Sequence, residues 1–164
     1  YLEDITAELG ESSSLAVLDG DDVVYVVRSA ARHRLMAITL SVGTRLPAAY
    51  TSMGRVLLAQ LPQPELEAYL ERVRLERYTA SSLTDTNALR EEIGKVREQG
   101  YAMVDQELDL GLRSVAVPVF SGAGELLGAI NISTNAVRVD MATVRDSYLP
   151  RLQAVAEQIR QATR

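Results

Sequence analysis

The stretch LPAAYTSMGRVLLAQLP, residues 46–62, sets Thr51, Ser52 and Gly54 directly before an apolar run. Small hydroxyl residues and a glycine at the mouth of a helix are open to three uses. A serine on a tight turn can be a nucleophile if a base and an acid stand behind it. The first N–H groups of a helix, together with its dipole, can hold an anion. The hydroxyl can also do no more than cap the helix. The nucleophile needs a G-x-S-x-G elbow, whereas the residues here are Ala49, Tyr50, Thr51, Ser52, Met53 and Gly54. It also needs an imidazole, and the one histidine, His33, sits in the charged run ARHRL. Both facts argue against hydrolysis. Cap and anion site stay open.

Two other groups of polar residues bear on chemistry. In DQELD, the carboxylates of Asp105, Glu107 and Asp109 alternate along an extended segment, a pattern open to use as ligands of a hard cation. The rest of a calcium loop is missing, and a polar bend between strands accounts for the same acids. In LLGAINISTN, period-two alternation puts Ala129, Asn131 and Ser133 on one face and Ile130 and Ile132 on the other. In GLRSVAVPV, Leu112, Ser114, Ala116 and Pro118 share one face. If these strands are neighbours, Ser114, Asn131 and Ser133 line one small polar patch, either a ligand pocket or a solvated outer face.

The elements that must position these residues follow from spacing. Leu2, Ile5 and Leu9 recur as on a helix that stops at Gly10. SSSLAVLDGDDVVYVVRS predicts two strands around an acidic turn at 19–22, and LMAITLSVG predicts a third from Leu35. Pro47 breaks the chain before a helix expected over 52–60, and a second short helix follows Pro64. Thr84 or Asp85 can cap a helix that ends at Gly100. YAMVDQELD, LRSVAVPVF and LLGAINIST then read as strands, the last two a hairpin around SGAGE. That loop lacks the length and the lysine of a phosphate loop. Met141, Val144, Tyr148, Leu152, Val155 and Ile159 describe a C-terminal amphipathic helix that Pro150 interrupts. Hairpin-joined strands with grouped helices predict an α+β fold with a sheet of about six strands.

Composition narrows the partners. A length of 164 residues suits one domain, residues 1–164. With 17 basic and 22 acidic residues, net charge −5 and a single lysine, Lys95, the chain lacks the basic face of a nucleic-acid binder. No apolar run is long enough to span a bilayer. The absence of cysteine removes thiolate metal sites and nucleophiles and fits a cytoplasmic setting. A chain opening at Tyr1 on a helical pattern is expected to be part of a longer polypeptide.

Three motifs together resemble a known family. They are G-x-x-x-P-x-x-x-x-S-x-G-x-x-L-L-A from Gly43, GY-x-x-x-D-x-E from Gly100, and G-L-R-S-x-A-x-P-V from Gly111. Over essentially its whole length the chain resembles the C-terminal effector-binding domain of the IclR family of bacterial transcription regulators. RHRLMAI and DQELDLGLRS are most similar to the branch that regulates protocatechuate and 4-hydroxybenzoate catabolism. The resemblance implies a GAF-like α+β domain without enzymatic activity or cofactor. It implies a homodimer or homotetramer, with DNA contacted only through an N-terminal winged helix-turn-helix that this chain lacks. It also implies a small organic acid as effector, an aromatic acid or a ring-cleavage dicarboxylate. By position the effector site falls on Ser52, Met53, Val104 or Asp105, Ser114, Asn131 and Ser133. Some glyoxylate- and pyruvate-responsive relatives have Asp in place of Val104 and Cys in place of Ser114, so this chain is expected to take a different, larger acid. Arg34 is expected to supply a second carboxylate contact, with Leu35 and Tyr101 in the apolar wall. The alternative is an effector-free structural dimerisation module.

Overall fold

The computed structural model describes residues 1–31 and 41–164. Arg34, His33 and residues 35–40 of the strand expected from Leu35 fall outside the described residues, and its last three, 41–43, are not strand. Helix α1 (Leu2–Leu9) turns its Leu2 and Ile5 inward and ends at Gly10. Strands β1 (Ser12–Asp19) and β2 (Asp22–Ser29) form the expected hairpin, with Asp19 opposite Asp22. Beside β2 lies the short β3 (Arg45–Pro47). It is an edge strand, the place in a sheet that tolerates a proline without an N–H.

A 3₁₀ turn (Ala48–Tyr50) then leads into α2 (Ser52–Ala59), which stops one residue short of the expected end. Next come α3 (Gln63–Arg72) and α4 (Thr86–Gln99), the latter capped by Asp85, whose carboxylate accepts the Asn87 N–H at 3.0 Å. Strands β4 (Ala102–Asp105), β5 (Leu112–Phe120) and β6 (Leu126–Asn135) complete an antiparallel sheet in the order β3-β2-β1-β6-β5-β4. The C-terminal helix is interrupted as expected: α5 (Met141–Thr143), a π-helical stretch (Val144–Tyr148), then α6 (Leu149–Ala162). Pro150 has no N–H to bond back one turn, so the regular ladder is lost just before it.

Side-chain alternation divides the sheet between two cores. Val115, Val117, Val119, Ile130 and Ile132 face α1 and α6. Ala16, Ala116 and Ala129 face α2. Small residues on that face let α2 sit close to the sheet, with α4 behind it, and all eight residues of α2 are buried. The approach is tight at Gly54, where a Cβ would stand 2.1 Å from the Ala48 carbonyl oxygen. Backbone meets backbone there, so neither side can yield without moving the turn. Gly54→Ala is therefore expected to cost about 1–3 kcal/mol or more. Tm should fall by roughly 2–4 °C per kcal/mol. An unchanged thermal midpoint would show that the turn and α2 do not pack in this way.

Candidate functional site

Between the mouth of α2 and the polar part of the sheet lies a small cavity. Ser52 is the first residue of α2, and Ser114 stands on β5 directly opposite Ser133 on β6. The Ser52 and Ser114 hydroxyls share a hydrogen bond of 2.8 Å. Asn131, two residues before Ser133 on the same face, donates from Nδ2 to the Ser133 hydroxyl at 3.1 Å. Its Oδ1 is buried and accepts no hydrogen bond among the described residues. Thr51, Tyr25, Tyr50, Leu46, Val104, Leu108 and Leu112 complete the lining. The enclosed volume is about 20 Å³, enough for about one water molecule.

The helix mouth is capped by Thr51, not Ser52. Thr51 Oγ1 accepts the Gly54 N–H at 2.9 Å and its carbonyl accepts the Arg55 N–H at 3.1 Å. The first two helical N–H groups, on Ser52 and Met53, have no acceptor within α2. With Thr51 occupied as the cap, the Ser52 hydroxyl is free to face the cavity.

Three expectations are corrected by the side-chain directions. Asp105 does not line the cavity, because alternation along β4 turns Val104 inward and Asp105 to the other face. There it accepts Arg113 Nε at 2.7 Å. Met53 is fully buried in the core around α2, about a quarter-turn of the helix away from Ser52. Tyr101 packs on the opposite side of the sheet, against the core beneath α6. Arg34 and Leu35 lie outside the described residues.

Two features escaped the sequence. A bulge in the β1–β2 pairing shifts the register, so that Leu15 faces Val27 but Ala16 faces Tyr25. Three residues apart, Tyr25 and Arg28 would otherwise point to opposite faces. With the extra residue both lie on the α2 side. Tyr25 lines the cavity, and Arg28 Nη1 donates to the Ser14 hydroxyl at 3.0 Å, Ser14 being opposite Asn131. Burial pushes the Tyr25 phenol up to about 12, against a smaller opposing effect of the Arg28 charge, so the phenol is neutral at physiological pH.

The second feature is Arg55, 1 % exposed inside the buried helix. Its Nη1 and Nη2 donate to the Glu107 carboxylate at 2.8 and 2.7 Å, and its Nε donates to the Ala49 carbonyl at 2.9 Å. Glu107 thereby holds the 106–111 bend, with Leu108, over the cavity. The hydroxyls of Thr79 and Ser82 bind the same bend from outside, donating to the carbonyls of Gln106 and Glu107. A lone charge in an otherwise apolar helix was the available signal, since a buried charge demands a buried partner. Two of the three acids of DQELD are thus explained: Asp105 meets Arg113 and Glu107 meets Arg55. Among the described residues no three His, Cys, Asp or Glu groups gather as a metal site. Among the described residues, none that lines the cavity is acidic or basic. With the N–H end of α2 at its rim, the space suits an anion or a neutral polar group.

The family model for the bacterial transcriptional regulator IclR C-terminal region matches residues 1–161. The Pca regulon regulatory protein of Pseudomonas putida is 44% identical over 159 residues, covering 97% of this chain and 55% of that protein. The chain therefore spans little more than half of that relative. A transcriptional regulator structure from Rhodococcus sp. RHA1 superposes with TM-score 0.92 at 44% identity, over 98% of this chain and 65% of that one. The inducer-binding domain of PobR from Acinetobacter, solved as a double mutant in complex with 3-hydroxybenzoic acid, superposes with TM-score 0.88. It is 31% identical, over 97% of this chain and 93% of that one.

The buried ion pair yields a prediction. Arg55→Met alone strands the Glu107 carboxylate and is expected to cost about 3–5 kcal/mol, whereas Arg55→Met with Glu107→Leu should recover most of the loss. Urea unfolding of the wild type, both single variants and the double variant measures the coupling. Additive losses would show that the two side chains do not act as a pair.

Proposed function

The chain belongs to the IclR family of bacterial transcriptional regulators, as its C-terminal domain, and on that premise we propose that it senses a small organic acid. The relatives it matches are named as transcriptional regulators and none as an enzyme, and the domain is a regulatory one. The supporting observation is the cavity itself: neutral hydroxyl and amide groups in an apolar wall, set at a helix N-terminus whose first N–H groups lack intrahelical acceptors. The ligand carboxylate is received there by the Ser52 and Ser114 hydroxyls and the N–H groups of Ser52 and Met53. Ser133 and Asn131 face the remainder of the ligand, and Val104, Leu108 and Leu112 give the apolar wall. Arg34 belongs to this reading as a second carboxylate contact.

A space of about 20 Å³ does not hold an aromatic acid or a ring-cleavage dicarboxylate, so binding requires part of the wall to move. The part best placed to do so is the Leu108 bend, a surface segment outside any helix or strand. Such an acid binds the open arrangement better than the closed one and so shifts the population between them. In the full regulator this shift biases a homodimer or homotetramer, and hence the spacing of N-terminal DNA-binding heads, in the cytoplasm where the operator lies. No helix among the described residues is long and apolar enough to cross a membrane.

Calorimetric titration with protocatechuate, 4-hydroxybenzoate and β-ketoadipate tests the reading. At least one should release heat and raise the melting temperature by ligand linkage. Ser52→Ala should weaken that acid by about 0.5–1.5 kcal/mol or more. Flat heats for all three would favour a structural dimerisation module that takes no effector.

A further inference from the structure

Resting on the reading of the cavity as an acid site, we propose that Tyr25 and Asn131 form its second pole. They read an oxygen-bearing substituent, so that the effector is an acid with a second oxygen function and not a plain monocarboxylate. The carboxylate pole is built from α2 and β5, through Ser52 and Ser114. The second pole comes from other elements, β2 and β6.

Its two groups share an unusual property. Asn131 is 3 % exposed, and its Oδ1 accepts nothing among the described residues. Tyr25 is also 3 % exposed, and among the described residues its hydroxyl makes no hydrogen bond, although the ring lines the same cavity. A buried polar atom without a partner is costly to folding. Asn131 Oδ1 is such an atom, and the Tyr25 hydroxyl at the same cavity is likewise left for something that enters it. The Ser52–Ser114 pair, by contrast, is already satisfied by its own hydrogen bond.

The chemistry of the pole follows from its atoms. A hydroxyl on the ligand donates to Asn131 Oδ1 and accepts from the Tyr25 phenol. A keto or second carboxylate oxygen is served equally well if the Asn131 amide turns over. Ser133 then donates to Oδ1 and the NH₂ group faces the cavity. Tyr25 remains the donor in both cases, because its phenol keeps its proton throughout the physiological range. The shared requirement is a second oxygen.

Paired titrations test this: benzoate against 3- and 4-hydroxybenzoate, and hexanoate against β-ketoadipate, each with wild type and with Tyr25→Phe. In at least one pair the oxygen-bearing acid should bind about tenfold or more tighter, and Tyr25→Phe should reduce that preference to about twofold or less. The pair in which the preference appears distinguishes a hydroxyl from a keto or second carboxylate oxygen. Tyr25→Phe should leave the weaker member's affinity unchanged and the free protein's melting temperature the same or higher, since it removes an unpartnered hydroxyl. Equal binding within every pair, or a Tyr25→Phe loss that falls alike on both members, would overturn the second pole while leaving the acid site standing. Silence from all the acids would instead overturn the acid site itself.

Discussion

A guanidinium inside a helix that has no solvent-facing side is the constraint on which the rest of this structure turns. Helix α2 is covered by the sheet on one side and by α4 on another, so Arg55 cannot reach water. It is tolerable only with a partner of opposite charge and matched geometry, and Glu107 supplies both oxygens. That requirement fixes the 106–111 bend against the helix. The bend in turn receives Thr79 and Ser82, and so secures the long connection between α3 and α4. Leu108, Leu112 and Val104 then close the cavity from that side. Its shape is thus a consequence of satisfying one buried charge.

The opposite face of the sheet solves a similar problem with a carboxylate. Glu11, 1 % exposed, accepts from the Thr134 hydroxyl, the Tyr148 hydroxyl and Arg138. Burial and the hydrogen bond to Glu11 push the Tyr148 phenol up to about 12. These contacts tie the start of β1 and the end of β6 to the C-terminal helical segment. The sheet is therefore clamped on both sides by buried ions, with Asn131 and Ser133 on one face and Ile130 and Ile132 on the other. A ligand that displaced the cavity wall would act on a sheet whose helical layers are joined by specific polar contacts. Such contacts favour discrete rearrangement over gradual deformation.

Much of this was legible in the chain. The Asp-Gly turn, the helix stops at Gly10 and Gly100, and the interruption before Pro150 are local effects of backbone geometry, and each stands where residue type puts it. The alternation in β5 and β6 placed Ser114, Asn131 and Ser133 on one face, because a period of two leaves a strand no other choice. Less legible was anything that depended on a neighbour. Asp105 and Val104 are adjacent, and motif position alone could not say which turns inward. Thr51 and Ser52 were equivalent as caps until the backbone gave one to the helix and the other to the cavity. The bulge that turns Arg28 to the same face as Tyr25 has no local marker in VVYVV, where every residue favours a strand equally.

Except for β3, which stands at Arg45–Pro47 and was not expected there, the amino-acid sequence by itself determined the described elements, the α+β class, the family and the polar strand face, since these follow from periodicity, turn chemistry and residue type over short range. Tertiary structure alone decided that Arg55 finds Glu107 across more than fifty residues, that the Met53 and Tyr101 side chains pack into cores, and that a register shift turns Arg28 to the same face as Tyr25. Pairing of buried charges and register between strands are properties of two segments at once. The mouth at Thr51 and Ser52, ambiguous between cap and anion site, holds both roles on adjacent residues because the packed helix leaves its second hydroxyl facing Ser114.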